Sequence, residues 1–102
     1  MRRGEFYRWR PSGAPDVPWY VLILSDDEYN ATGAWPICAH VARTGPGSLY
    51  LIPLTDADPI GGRVALNTVG AIDPATLDGP AGMITGATYE RITIGIRALF
   101  GT

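Results

Sequence analysis

Nine prolines and thirteen glycines are spread along a chain of 102 residues, and they cut it into segments of strand length rather than long helices. Glu5 to Arg10 alternates, with Tyr7 and Trp9 on one side and Phe6, Arg8 and Arg10 on the other, the period of a strand. "PSGAPDVP", Pro11 to Pro18, is a loop. Trp19 to Leu24 is continuously apolar and reads as a strand buried on both faces. Pro36 to Ala42 is a third strand, Leu49 to Leu54 a fourth after the turn "RTGPGS", and Arg63 to Ile72 a fifth after "TDADPIGG". Asp73 followed by Pro74 starts a single helical turn to Leu77. Met83 and Ile84 form a short strand, after which Thr85 caps a helix to about Phe100. That helix has one apolar face, carrying Tyr89, Ile92, Ile96, Leu99 and Phe100, and Gly101 stops it. The expected fold class is mainly β with α: a small, partly open antiparallel barrel covered by a C-terminal helix. With 46% hydrophobic residues, one core and one domain over residues 1–102 are expected.

The most conspicuous chemistry is the acidic run Ser25-Asp26-Asp27-Glu28. It fits S-x-x-E, a capping box in which Ser25 and Glu28 exchange bonds with each other's amides. Asp26 and Asp27 then lie in a first turn whose dipole favours anions. The short helix ends near Ala31, with Gly33 behind it. Consecutive side chains on a helical turn splay apart, so a metal cage is not expected there.

Formal charge is −2, but residues 1–10 carry Arg2, Arg3, Arg8 and Arg10 against Glu5 alone, and there is no lysine. An arginine-only cluster suits phosphate recognition; GC-rich codon usage gives the same composition. A lone cysteine, Cys38, excludes an internal disulfide and points to a reducing compartment. The longest aliphatic run, Val21 to Leu24, is too short to span a bilayer. "MRRGEFYRWR" has no apolar segment of a signal peptide. A cytoplasmic protein without membrane contact is expected.

Four stretches, in order, resemble the MazF/PemK/Kid family of toxin endoribonucleases. "RGEFY" resembles the opening strand, and "VLILSDDEYN" the apolar strand with its polar turn. "DPIGGRVALNTVGAIDPATL" resembles the long strand and following turn, and "GMITGATYERITIGIRALFG" the last strand and helix. The resemblance implies an SH3-like barrel acting as a homodimer, with no cofactor. It also implies metal-independent cleavage of single-stranded RNA by the ribose 2′-hydroxyl, and a cognate antitoxin covering the RNA groove. The family's catalytic Arg-Pro pair falls here on Trp19-Tyr20. Its catalytic Thr or Ser at the end of the third strand falls on Arg43 or Thr44, and the Asp common in its fifth strand is Asn67.

Cleavage through a 2′-hydroxyl needs a base, an acid and stabilisation of the charge gathering on phosphorus. Arg43 and Thr44, before a Gly-rich turn, read by themselves as a solvated turn residue and a turn former; the resemblance, which puts catalytic groups at this strand end, makes them the candidate catalytic pair, and Arg8, Arg10, Trp19 and Tyr20 are the candidate RNA-binding residues. Stacking of bases on aromatic rings is a common mode of single-strand recognition. Trp9 reads as core or dimer interface, Asn30 and Asn67 as structural. His40, the only histidine, is either a structural strand residue or a base near Arg43; one His and one Cys two apart do not complete a metal site. An apolar excess over Trp35, Ile37, Leu49, Tyr50, Leu51, Ile52 and the terminal helix predicts a homodimer. Two further readings stay open: a toxin of the same fold that poisons a protein target, as CcdB-like proteins bind gyrase, and a non-cleaving binding module.

Overall fold

A computed structural model describes residues 1–11, 19–45 and 47–101. All but the first residue of the loop read over Pro11 to Pro18 lies outside the described residues, as does Pro46 in the turn after the third strand. The six strands are β1 (Phe6–Trp9), β2 (Trp19–Ile23), β3 (Ile37–Ala42), β4 (Leu51–Pro53), β5 (Arg63–Ala71) and β6 (Leu77–Asp78). The helices are α1 (Asp27–Ala31) and α2 (Gly86–Phe100), with a single 3-10 turn at Pro74–Thr76. The strands form one antiparallel sheet in the order β4-β5-β3-β2-β1-β6. Among the described residues its two edges, β4 and β6, do not pair with each other, so the architecture is the expected partly open barrel plus helix.

Alternation along each strand feeds two separate cores. Phe6, Leu22, Ala39, Val64 and Leu66 pack with Ile52, Ile84 and Ile92, and α2 lies over β4 and β5 on this side. The intervening residues Tyr7, Val21, Ile23 and Cys38 pack with Leu77 on the other side. Val21, Leu22 and Ile23 are all fully buried, which is why β2 is apolar without interruption. Burial pushes the Cys38 thiol up to about 12, so it is an inert hydrophobe rather than a nucleophile. α2 runs close to the sheet because Gly95 has no side chain. A Cβ there would lie 2.6 Å from Leu66 Cδ1 and 2.7 Å from the Leu49 carbonyl oxygen.

Some details differ from the sequence reading. The N-cap of α1 is Asp26, whose carboxylate accepts from the Glu28 amide at 3.1 Å. Ser25 stands one residue earlier and ties the turn to the sheet. Its hydroxyl donates to Asn30 Oδ1 and accepts from the Ile37 amide at 3.0 Å, while Asn30 Nδ2 donates to the Ser25 carbonyl. Asp27 accepts from the Arg3 amide at 2.7 Å, and Asp26 pairs with the Arg3 guanidinium at 3.2 Å. The acidic run therefore serves the fold, fastening the N-terminal segment beside β2 by a network of bonds. β4 is shorter than expected, and Met83 makes only an isolated bridge to Glu5. Leu77–Asp78 forms a strand that periodicity did not reveal. Phe100, expected on the apolar face of α2, is 64% exposed. Ile52, read as part of a dimer patch, is in the core.

One buried carboxylate joins α2 to the loop before β5. Asp58 accepts from the Thr55 amide and hydroxyl at 2.9 and 3.0 Å, from the Thr85 amide at 2.9 Å and from the Thr88 hydroxyl at 2.7 Å. Thr85 is itself the N-cap of α2, accepting from the Thr88 amide. Burial by itself would raise the Asp58 pKa, but the bonds from Thr55, Thr85 and Thr88 outweigh it and hold the group at about 2, against an ordinary 3.8. The folded-state value lies below the unfolded one, so the charge stabilises the fold fully above pH 3.8 and less as pH falls toward 2. The linkage is worth about 2 kcal/mol. Asp58→Asn is expected to cost roughly 2–3 kcal/mol at neutral pH, because donors once matched by a carboxylate lose their acceptors. Thermal melts from pH 5 to 2 should show a wider gap between wild type and variant at the upper end than at the lower. An equal gap across the series would contradict this account.

Candidate functional site: an aromatic pocket at the end of β1, β2 and β3

On the sheet face away from α2, the second core ends in an open pocket of about 270 Å³. Trp9, Trp19, Tyr20, His40, Val41, Ala42 and Arg43 line it. Register explains the assembly. Trp9 stands opposite Trp19 where β1 and β2 pair, and His40 stands opposite Val21 where β2 and β3 pair. Residues opposite one another share a face, so the two tryptophans and the imidazole lie on one surface. The indoles meet at 5.6 Å between centroids, tilted by 30°. The imidazole meets Trp9 at 4.7 Å in an edge arrangement of 63°. Trp19 is 38% exposed, leaving an indole accessible to an incoming planar group.

β5 supports His40 from the other side. The β3–β5 register shifts between Cys38 and His40, whose partners are Gly70 and Ala65. In this bulge the His40 amide donates to Thr68 Oγ1 at 2.8 Å, and that hydroxyl donates to the Ala65 carbonyl at 2.6 Å. A side chain thus takes the place of the missing ladder partner for the His40 amide. Asn67, in the same bulge, is exposed. Burial lowers the His40 pKa from its ordinary 6.5, so the ring is neutral at pH 7 and has a nitrogen lone pair to offer.

The predicted residues divide. Trp19, Tyr20 and Arg43 come together in the pocket. Thr44 is exposed and next in the chain, but is not part of the lining. Arg10 is drawn to the β6 edge, where its Nε pairs with Asp78 at 3.2 Å. Arg8 is half-buried on the face opposite Trp9, with Tyr20 and Asp78 as register partners. The N-terminal arginines therefore form no single patch: Arg3 and Arg10 hold carboxylates on different elements.

Trp9 and His40 also line the pocket, Trp9 while packing against the second core. Both stand in strand positions whose parity matches Trp19, but their convergence depends on a register that spans a loop. Arg63 was not singled out in the sequence. It pairs with Ala42, and its guanidinium lies 3.2 Å from the position a Cβ on Gly47 would take, which puts a second cation beside the turn after Arg43. The described residues bring together no group of three or more His, Cys, Asp or Glu that could hold a metal ion. No helix among them is long and apolar enough to cross a membrane.

No family model matches the chain, and no curated protein matches it. Solved structures do. An endoribonuclease from a mycobacterial species, in complex with its cognate antitoxin, superposes with a TM-score of 0.88 at 21% identity, over 99% of this chain and 95% of that one. A MazE–MazF complex from Deinococcus radiodurans gives 0.83 at 14% identity, over 100% and 96%. The Mycobacterium tuberculosis toxin MazF-mt6 gives 0.78 at 15% identity, over 95% and 96%. The chain has a MazF-type toxin fold.

If Trp9 closes His40 off from solvent, Trp9→Ala should let the His40 pKa rise toward 6.5, read from the single imidazole by NMR titration. An unchanged titration would mean that burial comes from elsewhere.

Proposed function

We propose that residues 1–102 form one toxin domain of a type II toxin–antitoxin system, acting in the cytoplasm as a metal-independent endoribonuclease on single-stranded RNA. The observation that carries this reading is the pocket in which Arg43 and exposed Trp19 meet at the ends of three strands. An unpaired base can stack on the indole, a contact worth about 1–3 kcal/mol that double-stranded RNA does not offer. Arg43 stands where the neighbouring phosphate would follow. Its guanidinium fork matches two phosphate oxygens and answers the charge that grows as the 2′-oxygen attacks. The exposed Thr44 hydroxyl supplies a further donor, and Tyr20 borders the base. Arg8 and Arg10 flank Trp9, outside the pocket lining, and serve as approach cations for the RNA rather than as contacts to the reacting phosphate.

The partners proposed are RNA, a cognate antitoxin whose chain occludes this pocket, and a second copy of the chain. The last is supported by the exposure of Trp35, Leu49, Tyr50, Ile94 and Phe100, apolar groups that a partner surface would cover. One observation favours a protein target instead: Phe100, the last helical residue, is 64% exposed beside the Gly101 cap, as a helix-end contact of the CcdB kind would need.

Arg43→Ala is expected to slow cleavage of single-stranded RNA by about 10²–10³, with the melting temperature little changed because the residue is exposed. Cleavage should persist in chelator and leave a cyclic phosphate on the 5′ product. A wild-type protein that leaves every RNA of a mixed pool intact would remove the nuclease reading and promote the protein target. Cleavage that Arg43→Ala does not slow would move the phosphate site to Arg63.

A further inference from the structure

We propose that His40 is the general base of the cleavage reaction, taking the proton from the attacking 2′-hydroxyl; this rests on the endoribonuclease reading above. The pocket has aromatic surfaces for a base and a guanidinium for a phosphate, and His40 lines it together with them. It is on β3, three residues before Arg43, which follows the strand's end, roughly 10 Å away along extended chain, and it shares a sheet face with Trp9 and Trp19. A nucleotide whose base rests on Trp19 and whose 3′-phosphate reaches toward Arg43 carries its ribose across the imidazole. The ring is held for the task. Trp9 packs against it at 4.7 Å, and its backbone is pinned through the amide bond to Thr68.

The step balances without a cofactor. The imidazole takes the 2′-hydroxyl proton, the 2′-oxygen bonds to phosphorus, and the bond from phosphorus to the 5′-oxygen breaks. The departing 5′-oxygen takes a proton from water, and the imidazolium returns its proton to the hydroxide so formed. The products are a 2′,3′-cyclic phosphate and a 5′-hydroxyl, and the histidine is unchanged.

Burial biases the His40 ring toward its neutral form, and the charged side chains around it are mainly cations. On its own strand stands the buried thiol Cys38, and just past the strand's end Arg43. β5 carries Arg63 opposite Ala42, β2 carries Tyr20, and β1 and β6 carry Tyr7 and Arg8 with the Arg10–Asp78 pair. Among the described residues of the pocket lining there is no carboxylate to stabilise an imidazolium. With the ring already biased toward neutrality by burial, kcat/KM should rise with pH along an acidic limb centred below 6.5 and then level.

The experiment is a pH–rate profile for wild type and His40→Asn on a mixed pool of single-stranded RNA. It is paired with an NMR titration of the one histidine, alone and with a single-stranded DNA oligonucleotide that lacks the 2′-hydroxyl. The expected result is a slowing by about 10²–10⁴ in His40→Asn with loss of the acidic limb. The wild-type limb should be centred on the NMR pKa, and the His40 resonances should move when DNA binds. A folded His40→Asn that keeps the acidic limb, or a wild-type limb whose midpoint departs from the NMR pKa, overturns the assignment while the nuclease reading stands; the second comparison decides the matter even if the variant does not fold. A wild-type protein that cleaves no RNA overturns both.

Discussion

Burial on both faces of the central sheet governs most of what else this molecule does. β2 is flanked by β1 and β3, and its successive residues point alternately into the core under α2 and into the core above Leu77. A strand in that position tolerates no slip, because a shift of one residue would exchange the two sets of side chains. The turn that follows is held accordingly. Ser25 grips β3 through the Ile37 amide, and Asp26 and Asp27 grip Arg3, so the entry to β1 and the exit from β2 are clamped by the same short segment. The carboxylates that look like a reactive centre are spent on keeping this register.

The pocket is a product of that register. The second core is filled at one end by Tyr7, Val21, Ile23 and Cys38. At the other end its residues become larger and partly polar, and the layer opens as Trp9, Trp19 and His40. The same alternation that builds a hydrophobic layer thus continues into a surface that combines aromatic faces, a neutral imidazole and, at the strand end, a guanidinium. α2 and its Asp58 anchor stabilise the opposite side and leave this one uncovered. The Thr68 bulge lets β5 change register without disturbing β3, so the long strand can serve one face near Arg63 and a different contour near Ala71.

How far the sequence carried the reading follows from the range of the interactions involved. Strands β1, β2, β3 and β5 and the helix α2 were legible because their periods of two and of 3.6 are local. Thr85 and Gly101 mark the ends of α2 by their own backbone chemistry. The cap of α1 was misplaced by one residue because Ser25 and Asp26 are both good caps; only the position of β3 decides which is free to act. β6 has two residues and no period to detect. Arg43, Trp19 and Tyr20, proposed from the aligned strand ends, line one pocket. Trp9 read as core or dimer interface and His40 was open between a structural residue and a base, because their meeting depends on a hairpin register and a bulge, neither of which is written in nearby residues. Arg8 and Arg10 were grouped by charge and do share a side by alternation, but both are turned toward the β6 edge at Asp78 and away from the pocket lining.

The solitary thiol of Cys38 sits at the floor of the second core, fully covered and displaced far toward its protonated form. An alkylating reagent can reach it only when the layer between Val21, Ile23 and Leu77 parts. Its labelling rate is therefore a clock for the rare openings of the sheet beneath the pocket, set by the equilibrium between closed and open forms. A bound strand or a covering protein chain that braces the pocket should slow that clock, giving a readout of occupancy that depends on neither catalysis nor a chosen RNA sequence.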